Sequence, residues 1–275
     1  MKVTIWGSRG SIASAGPDTV RYGGNTACVE VRAADGTLLV LDAGTGLRRL
    51  GAALADTPGP IHILLTHLHM DHIQGLGFFG PLFDRGCELH IWGPPSPTLD
   101  LRTRLTRYLS PPLFPVRLRD LESRVQLHDA GVEPWQIGNL TLTAAHVIHP
   151  GPTIGYRIEE GGRAMAYLPD HEPALGGMSD DPAWISGLDL AKGTDLLLHD
   201  SQYASSEYGL HVGWGHSSVA QAVALAERAG TRRLLTFHHD PGHDDDFLDG
   251  VLAEARAGAR TTEVLGGREG MVLEV

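Results

Sequence analysis

The sequence predicts an α/β protein in which two β-sheets pack face to face and helices cover the outer faces, a four-layer αββα sandwich. Short apolar runs with the composition of buried strands occur in two sets, one on each side of residues 93–124. Amphipathic helical patterns interrupt the second set at 218–229 and 245–257. Strands, then helices, then strands again favour stacked sheets with helices outside.

The first set of elements lies before residue 93. Apolar runs predict strands at 3–6, 27–32, 37–41, 61–65 and 88–92. Helices are expected at 47–55 and from Ile73 to Phe79. The connections at Gly7 to Ser11 and Tyr22 to Thr26 are rich in glycine and serine, and such loops bring backbone N–H groups close to a ligand or are simply turns.

Residues 93–124 interrupt the alternation with two proline clusters and one predicted helix around 98–109. This segment is interpreted as an excursion from the core. It is the one basic region of an acidic chain, with six arginines: Arg102, Arg104, Arg107, Arg117, Arg119 and Arg124. A solvated face, a dimer contact and a lip that steers substrate all remain open.

The second set predicts strands at 125–128, 140–147, 154–159, 163–168, 195–199, 233–237 and 271–275. Ser218 and Gln221 are spaced as a capping box at the start of helix 218–229, and Gly230 is a typical stop signal. Asp244 is the expected cap of helix 245–257. We see no repeat, low-complexity tract or linker, so residues 1–275 are predicted to form a single domain.

Composition limits the classes of function. The 275 residues carry 42% hydrophobic and 20% charged residues and a formal charge of −11, which disfavours a general nucleic-acid surface but not a small anionic substrate. No apolar run reaches the roughly 20 residues of a membrane span, and the N-terminus lacks a signal peptide, so we expect a cytoplasmic protein. Cys28 and Cys87 form no CxxC pair, which argues against a cysteine zinc site or a disulfide framework.

One stretch predicts a metal centre. Thr66-His67-Leu68-His69-Met70-Asp71-His72 follows the buried strand 61–65 and places four potential ligands within six residues. In an extended backbone His67 and His69 point the same way and can bind one cation. Asp71 and His72 come where the chain turns and can face a second cation. Imidazole and carboxylate suit zinc or manganese.

Three later strand ends carry further candidate ligands. His149, Asp170 and His238 each lie at or just beyond an apolar run. His146 competes with His149, and His239 competes with His238. Asp42, also at a strand end, is interpreted either as an acceptor for a ligand histidine or as the cap of the following turn.

The HxHxDH stretch and the order of these strand ends resemble the metallo-β-lactamase superfamily. The resemblance implies two mixed sheets and two divalent metal ions, zinc or manganese. It assigns His67, His69 and His149 to the first metal and Asp71, His72 and His238 to the second, with Asp170 as the bridge. His149 is preferred because it precedes Pro150-Gly151-Pro152, as the third histidine does in related sequences.

Within that superfamily the chain resembles the phosphodiesterase branch, which includes RNase Z and the phosphoribosyl cyclic phosphodiesterases. Leu198-His199-Asp200-Ser201 and Gly215-His216-Ser217-Ser218 carry this likeness. Three features depart from it: Asp200 replaces the glutamate of the RNase Z His-Glu-Ala-Thr sequence, no extended tRNA arm is visible, and cysteines for a structural zinc are lacking. The resemblance also implies a homodimer.

The expected reaction is hydrolysis of a small or cyclic phosphodiester by a hydroxide shared between the metals. Asp71 would orient or deprotonate the nucleophile. His216 would protonate the leaving oxygen, with Asp200 fixing its tautomer. The alternatives are hydrolysis of a lactone or thioester, an RNase Z-like RNA endonuclease, and a metal-stabilised binding protein without activity; nucleic acid is possible but not favoured as a partner.

Overall fold

The computed structural model describes residues 1–54, 59–131 and 133–275, and it confirms two sheets packed face to face between helices. The strands in the described residues are β1 (Lys2–Gly7), β2 (Cys28–Arg32), β3 (Leu38–Leu41), β4 (Ile61–Leu64), β5 (Glu88–Gly93), β6 (Arg124–Asp129), β7 (Trp135–Ile137), β8 (Leu140–His146), β9 (Ile154–Glu160), β10 (Arg163–Leu168), β11 (Leu196–Asp200), β12 (Arg233–Phe237), β13 (Glu263–Gly266) and β14 (Val272–Glu274). The first sheet has the order β14-β1-β2-β3-β4-β5-β6, and the second has the order β13-β12-β11-β10-β9-β8-β7.

The helices of the described chain are α1 (Gly46–Ala53), α2 (Met70–Ile73), α3 (Leu101–Thr106), α4 (Leu188–Ala191), α5 (Ser205–Tyr208), α6 (Val219–Ala229) and α7 (Asp245–Gly258). Helix α6 has the predicted capping box, and Gly230 ends it in the left-handed region at φ 67°. The prediction for α1 extended to residue 55, which lies outside the described residues. None of the described helices has the length and apolar character to cross a membrane.

Both sheets are mixed, and each keeps its parallel strands together. Strands β3 to β6 run parallel in the first sheet, and β10 to β13 run parallel in the second. Neighbouring pairs elsewhere in the sheets are antiparallel. The carboxyl ends of parallel strands are where open α/β sheets usually bind ligands.

Alternation along the strands divides the buried side chains between an inner and an outer core. In β11, Leu196 and Leu198 face the space between the sheets, whereas Leu197 packs against helix α6 and its neighbours. Because successive side chains of a strand point to opposite faces, an apolar run without polar interruptions fills both layers. Each fully buried leucine contributes about 1.5–3 kcal/mol through removal from water.

The segment 93–124 is not an excursion from the core, which corrects that expectation. Six of its apolar residues pack on the outer face of the first sheet: Leu101, Leu105, Tyr108, Leu109, Phe114 and Leu118. Five of its six arginines are exposed, while Arg104 is mostly buried and donates to the carbonyl of Pro94 at 2.6 Å. The prolines in this segment suggested an irregular structure, but its leucine side chains are spaced so that they cover the sheet.

The prediction of a helix from Ile73 to Phe79 is wrong. Helix α2 begins three residues earlier and ends at Ile73, and a short 3₁₀ turn follows at Leu76–Phe78. Gly75 lies against the backbone of Gly44, where a β-carbon would overlap the carbonyl oxygen. The chain bends here to pack on the first sheet. Two short strands, β7 and β13, were not predicted, because three or four residues carry too little periodicity.

Candidate metal centre

The predicted ligands converge at one edge of the sandwich, and both sheets contribute. Strand β4 leads to the HxHxDH stretch in the first sheet. In the second sheet, His149 follows β8, Asp170 follows β10 and His238 follows β12. Each candidate ligand lies near the end of a strand, so the sheets hold its backbone in a fixed position.

The first cluster consists of His67, His69, His149 and Asp170. Their ligand atoms all lie within 4.8 Å of one another. Nε2 of His149 is 3.2 Å from Nδ1 of His69, and Nε2 of His67 is 3.7 Å from Oδ2 of Asp170. These side chains are the ones that the resemblance assigned to the first metal, together with the predicted bridge.

The second cluster consists of Asp71, His72, Asp170 and His238, again within 4.8 Å. Nε2 of His72 is 2.9 Å from Oδ1 of Asp170 and 3.2 Å from Oδ2 of Asp71. Nε2 of His238 is 3.2 Å from the same Asp71 oxygen. Asp170 belongs to both clusters and presents one carboxylate oxygen to each.

Outer hydrogen bonds orient three of the histidines. Nδ1 of His72 donates to Asp42 at 2.8 Å, Nδ1 of His149 donates to the carbonyl of Gly215 at 2.8 Å, and Nδ1 of His238 donates to Oε1 of Gln202 at 2.9 Å. Each partner is an acceptor, so the proton resides on Nδ1 and the lone pair of Nε2 points into the cluster.

Asp42 supports the ligands rather than merely capping a turn. Its fully buried carboxylate accepts hydrogen bonds from His72, from the backbone and hydroxyl of Thr66, and from the hydroxyl of Tyr167 at 3.0 Å. Its backbone adopts a left-handed conformation at φ 57°. Such a conformation is uncommon for a residue with a side chain and is typical of functional sites.

The clusters have the chemistry of cation sites. Buried Nε2 of His67 has no hydrogen-bond partner among the described residues. Burial would lower the pKa of His72, yet the carboxylates of Asp170, Asp71 and Asp42 raise it well above its usual value. Lone pairs that face one another in a negative potential require a positive charge. The residues present therefore fit divalent cations bound by imidazole and carboxylate.

His216 and Asp200 lie next to the clusters. Nδ1 of His216 donates to Oδ2 of Asp200 at 2.7 Å. Three backbone N–H groups hold that buried carboxylate, those of His171, Gln202 and Ser217. Burial would lower the pKa of His216, but the charge and hydrogen bond of Asp200 raise it to about 9. Its ring stacks on His238 at 5.0 Å, so a protonated imidazole would face the clusters.

The structure separates the competing histidines. His146 is exposed at the end of β8 and belongs to neither cluster, whereas His149 belongs to the first. His239 is buried away from the ligands, and its Nε2 donates to the carbonyl of Gly267 at 2.9 Å. Burial lowers the pKa of His239 to about 3. His238, the preferred residue, lies in the second cluster.

The glycine- and serine-rich loop after β1 has a positioning role that sequence reasoning left open. The N–H of Ser11 donates to Oδ2 of Asp71 at 2.8 Å. Gly10 lies against the ring of His238, where a β-carbon would overlap Nδ1. The buried guanidinium of Arg9 fastens the loop by donating to the carbonyls of Gly23, Asp240 and His243. The glycine and serine content of the loop predicted that its backbone lies close to another group. It did not predict that this group is a candidate metal ligand.

Glu172 and Gln202 were missed. Gln202 orients His238, and the buried carboxylate of Glu172 accepts from the N–H groups of Gly213 and Gly215. Both residues follow strands of the second sheet closely. Their partners are between 36 and 43 positions away in sequence, so no local signal could have identified them.

Comparison with known proteins identifies the family. The family model described as "Beta-lactamase superfamily domain" matches residues 37–239. Uncharacterized protein Rv1339 of Mycobacterium tuberculosis is 31% identical over 94% of this chain and 86% of its own length. Ribonuclease BN of Cronobacter sakazakii is 28% identical over 80% of this chain and 84% of its own length.

Solved structures agree on the fold. The metallo-beta-lactamase fold protein YhfI from Bacillus subtilis has a TM-score of 0.73 and 22% identity, covering 99% of both chains. A diphosphatase from the PhnP family has a TM-score of 0.71 and 19% identity, covering 100% of this chain and 97% of its own. The chain thus belongs to the beta-lactamase superfamily as a hydrolase of the metallo-β-lactamase fold, with His/Asp clusters suited to divalent metals.

Proposed function

We propose that this chain is a phosphodiesterase that uses two divalent metal ions to cleave a small or cyclic phosphodiester. The observation that carries the proposal is the His216–Asp200 pair, a proton donor placed beside two clusters that share Asp170. A phosphate ester with a strongly basic leaving oxygen, such as an alkoxide, resists hydrolysis. Its cleavage needs neutralisation of the charge around phosphorus and a proton donated to the departing oxygen.

Each residue has a role that its contacts support. The first ion would be held by His67, His69, His149 and Asp170, and the second by Asp71, His72, Asp170 and His238. When bound, the two ions supply Lewis acidity and lower the pKa of water. Asp71, oriented by the N–H of Ser11, accepts a proton from the attacking water. His216 donates a proton from Nε2 to the leaving oxygen, because Asp200 occupies Nδ1.

Relatives support a phosphorus ester. One is named a ribonuclease and one solved structure is named a diphosphatase, so the fold is associated with cleavage at phosphorus in both. The ribonuclease likeness also favours a second candidate, an RNA phosphodiester. A net charge of −11 weighs against an extended RNA contact, because the chain as a whole repels a polyanion.

The test is hydrolysis of bis(4-nitrophenyl) phosphate by chelated protein reloaded separately with zinc and manganese. We expect turnover to return with metal and to be lost in Asp71→Asn, which keeps the shape of the side chain but removes its charge. His149→Asn should also lose activity, and His146→Asn, the matched control outside the clusters, should retain it. Cleavage of a lactone or thioester with no cleavage of the diester would contradict the proposal.

The acid role of His216 has a separate signature. We expect His216→Asn to slow cleavage of an alkyl leaving group by about 10²–10⁴-fold. The defect should shrink for 4-nitrophenol, which needs little protonation. An equal defect for both leaving groups would assign His216 a structural role. A transfer RNA precursor in the same assay tests the RNA candidate.

The proposal extends to assembly and location. We propose that the chain forms a homodimer, in keeping with the family resemblance, and that it is located in the cytoplasm. Light scattering of the purified chain measures the first, and fractionation of cells that express it measures the second.

A further inference from the structure

Four large exposed apolar side chains are next in sequence to residues of the metal centre: Ile12 (63% exposed), Met70 (50%), Ile148 (40%) and Trp214 (60%). Ile12 follows Ser11, Met70 separates His69 from Asp71, and Ile148 precedes His149. An exposed apolar group beside a polar site is a candidate contact for the apolar part of a ligand. The metal centre suits the charged part of such a ligand, and Trp214 offers the largest apolar surface of the four.

Hydrogen bonds hold the backbone on both sides of Trp214. It lies between Gly213 and Gly215, both in the left-handed region at φ 84° and 86°. The N–H groups of these two glycines donate to the buried carboxylate of Glu172 at 2.9–3.1 Å. Glu172 also accepts from the hydroxyl of Tyr208, so one buried carboxylate fixes this turn while the indole itself stays largely in water.

The same turn belongs to the metal centre. The carbonyl of Gly215 accepts from Nδ1 of the ligand candidate His149 at 2.8 Å, and His216 follows directly. His211 packs edge-on against the Trp214 ring at 4.9 Å and stacks on Tyr203 at 4.3 Å. The indole is therefore fixed from one side and within two residues of the proton donor. Little ordering of the side chain is then needed when a ligand binds.

We infer that Trp214 is a specificity-determining residue that stacks on a flat aromatic substituent of the phosphate ester held at the metal centre. This inference rests on the proposed function and narrows its substrate class to esters that carry an aromatic or heteroaromatic ring. Stacking on tryptophan tolerates any flat ring, so the indole selects aromatic rings over small alkyl groups without selecting one ring.

The test is calorimetric binding of phenyl phosphate and methyl phosphate to the zinc-loaded protein. Both anions offer the same phosphate group to the metals, and they differ only in the group esterified to it, a phenyl ring or a methyl group. We expect phenyl phosphate to bind more tightly to the wild type. Trp214→Ala should remove about 5- to 150-fold of that preference, the range that one stacked ring supplies.

Two variants make the result specific. Trp214→Phe should retain most of the preference, because it keeps an aromatic face. Phe83→Ala, which removes another partly exposed aromatic ring outside the site, should leave the preference unchanged. An equal affinity for the two anions in the wild type, or a preference that survives Trp214→Ala, would overturn the inference.

The assay separates the two proposals. Because the anions are products rather than substrates, binding is measured without turnover. Selective binding of phenyl phosphate by a protein that cleaves no diester would refute the phosphodiesterase proposal and leave the aromatic subsite standing. Diester turnover with no role for Trp214 would do the reverse.

Discussion

At the scale of single residues, the site depends on groups that are not themselves candidate metal ligands. Asp42 is the clearest example, because one buried carboxylate joins the candidate ligand His72 to Tyr167 on the opposite sheet. The sequence located a carboxylate at a strand end but left its role open, since Tyr167 is 125 positions away. Residue types and spacing within a few positions predict ligands, whereas the partners that aim them come from the fold.

Asp42→Asn should weaken binding of the second metal by about 10- to 100-fold, because the amide aligns His72 less strongly than the carboxylate. Calorimetric titration of chelated protein with zinc measures the affinity. Asp35→Asn is the control, since Asp35 accepts backbone hydrogen bonds in an exposed turn far from the clusters in sequence. Equal affinities in the two variants would contradict the role of Asp42.

Gly10→Ala should reduce the metal content from the proposed two ions per chain towards one, because the added methyl group displaces the ring of His238. Elemental analysis after dialysis against zinc gives the stoichiometry. Ser11→Gly keeps both the N–H that binds Asp71 and the left-handed backbone at φ 60°, so it should keep the full content. A full complement of zinc in folded Gly10→Ala would show that the close contact is tolerated.

At the scale of elements, predictability followed length and periodicity. Helix α6 combined an apolar stripe, a capping box and a terminal glycine, and all three appear in the structure. Helix α2 has only four residues and starts inside the ligand stretch, where the need to aim side chains outweighs helical periodicity. Strand β13 is recognisable only through its pairing with β12, a contact that local sequence does not contain.

Glu227 near the end of α6 provides a test at this scale. Its carboxylate accepts the N–H groups of Arg260, Thr261 and Thr262 and ties α6 to the turn before β13. These hydrogen bonds lower the pKa of Glu227 from 4.5 to about 2. The carboxylate thus stabilises the fold at pH values above 4.5 and loses that contribution as the pH falls towards 2.

Glu227→Gln should accordingly destabilise the protein by about 1 kcal/mol at pH 7. The gap to wild type should narrow as the pH falls from 4.5 towards 2. Urea unfolding at pH 7 and pH 3 measures both values. Glu254→Gln on the exposed face of α7 is the control and should match wild type at either pH. A gap that is constant with pH would mean that shape rather than charge matters at this position.

At the scale of the whole molecule, the succession of strand and helix patterns along the chain was enough to predict stacked sheets with external helices. The relative placement of the two sheets could not be predicted from the sequence. It depends on side chains of the inner sheet faces, such as Leu198 and Tyr156, which come into contact only after folding. The same long-range packing brings His67 and His238 to one edge. The motif could be found from sequence, but the completed site is a property of the sandwich.

Metal loading should raise the melting temperature of the chelated protein, because the ions bind the folded state and its assembled ligands. At zinc concentrations of about 1,000 times the dissociation constant, the stabilisation amounts to about 4 kcal/mol. Differential scanning calorimetry measures the shift. Asp170→Asn should abolish most of it, since both clusters use that carboxylate. An identical shift in Asp170→Asn would place the bound zinc elsewhere.

The division of ligands between the sheets has a mechanical consequence. His69 and His149 are 80 positions apart, and His72 and His238 are 166 positions apart, so a bound cation closes chain loops of those lengths. In this respect the centre acts as a reversible cross-link, comparable to a disulfide that opens when the ion leaves. Loss of metal would then release two sheets at one end and admit proteases there. Catalytic competence and resistance to degradation would fall together, linking the lifetime of the chain to the supply of divalent ions.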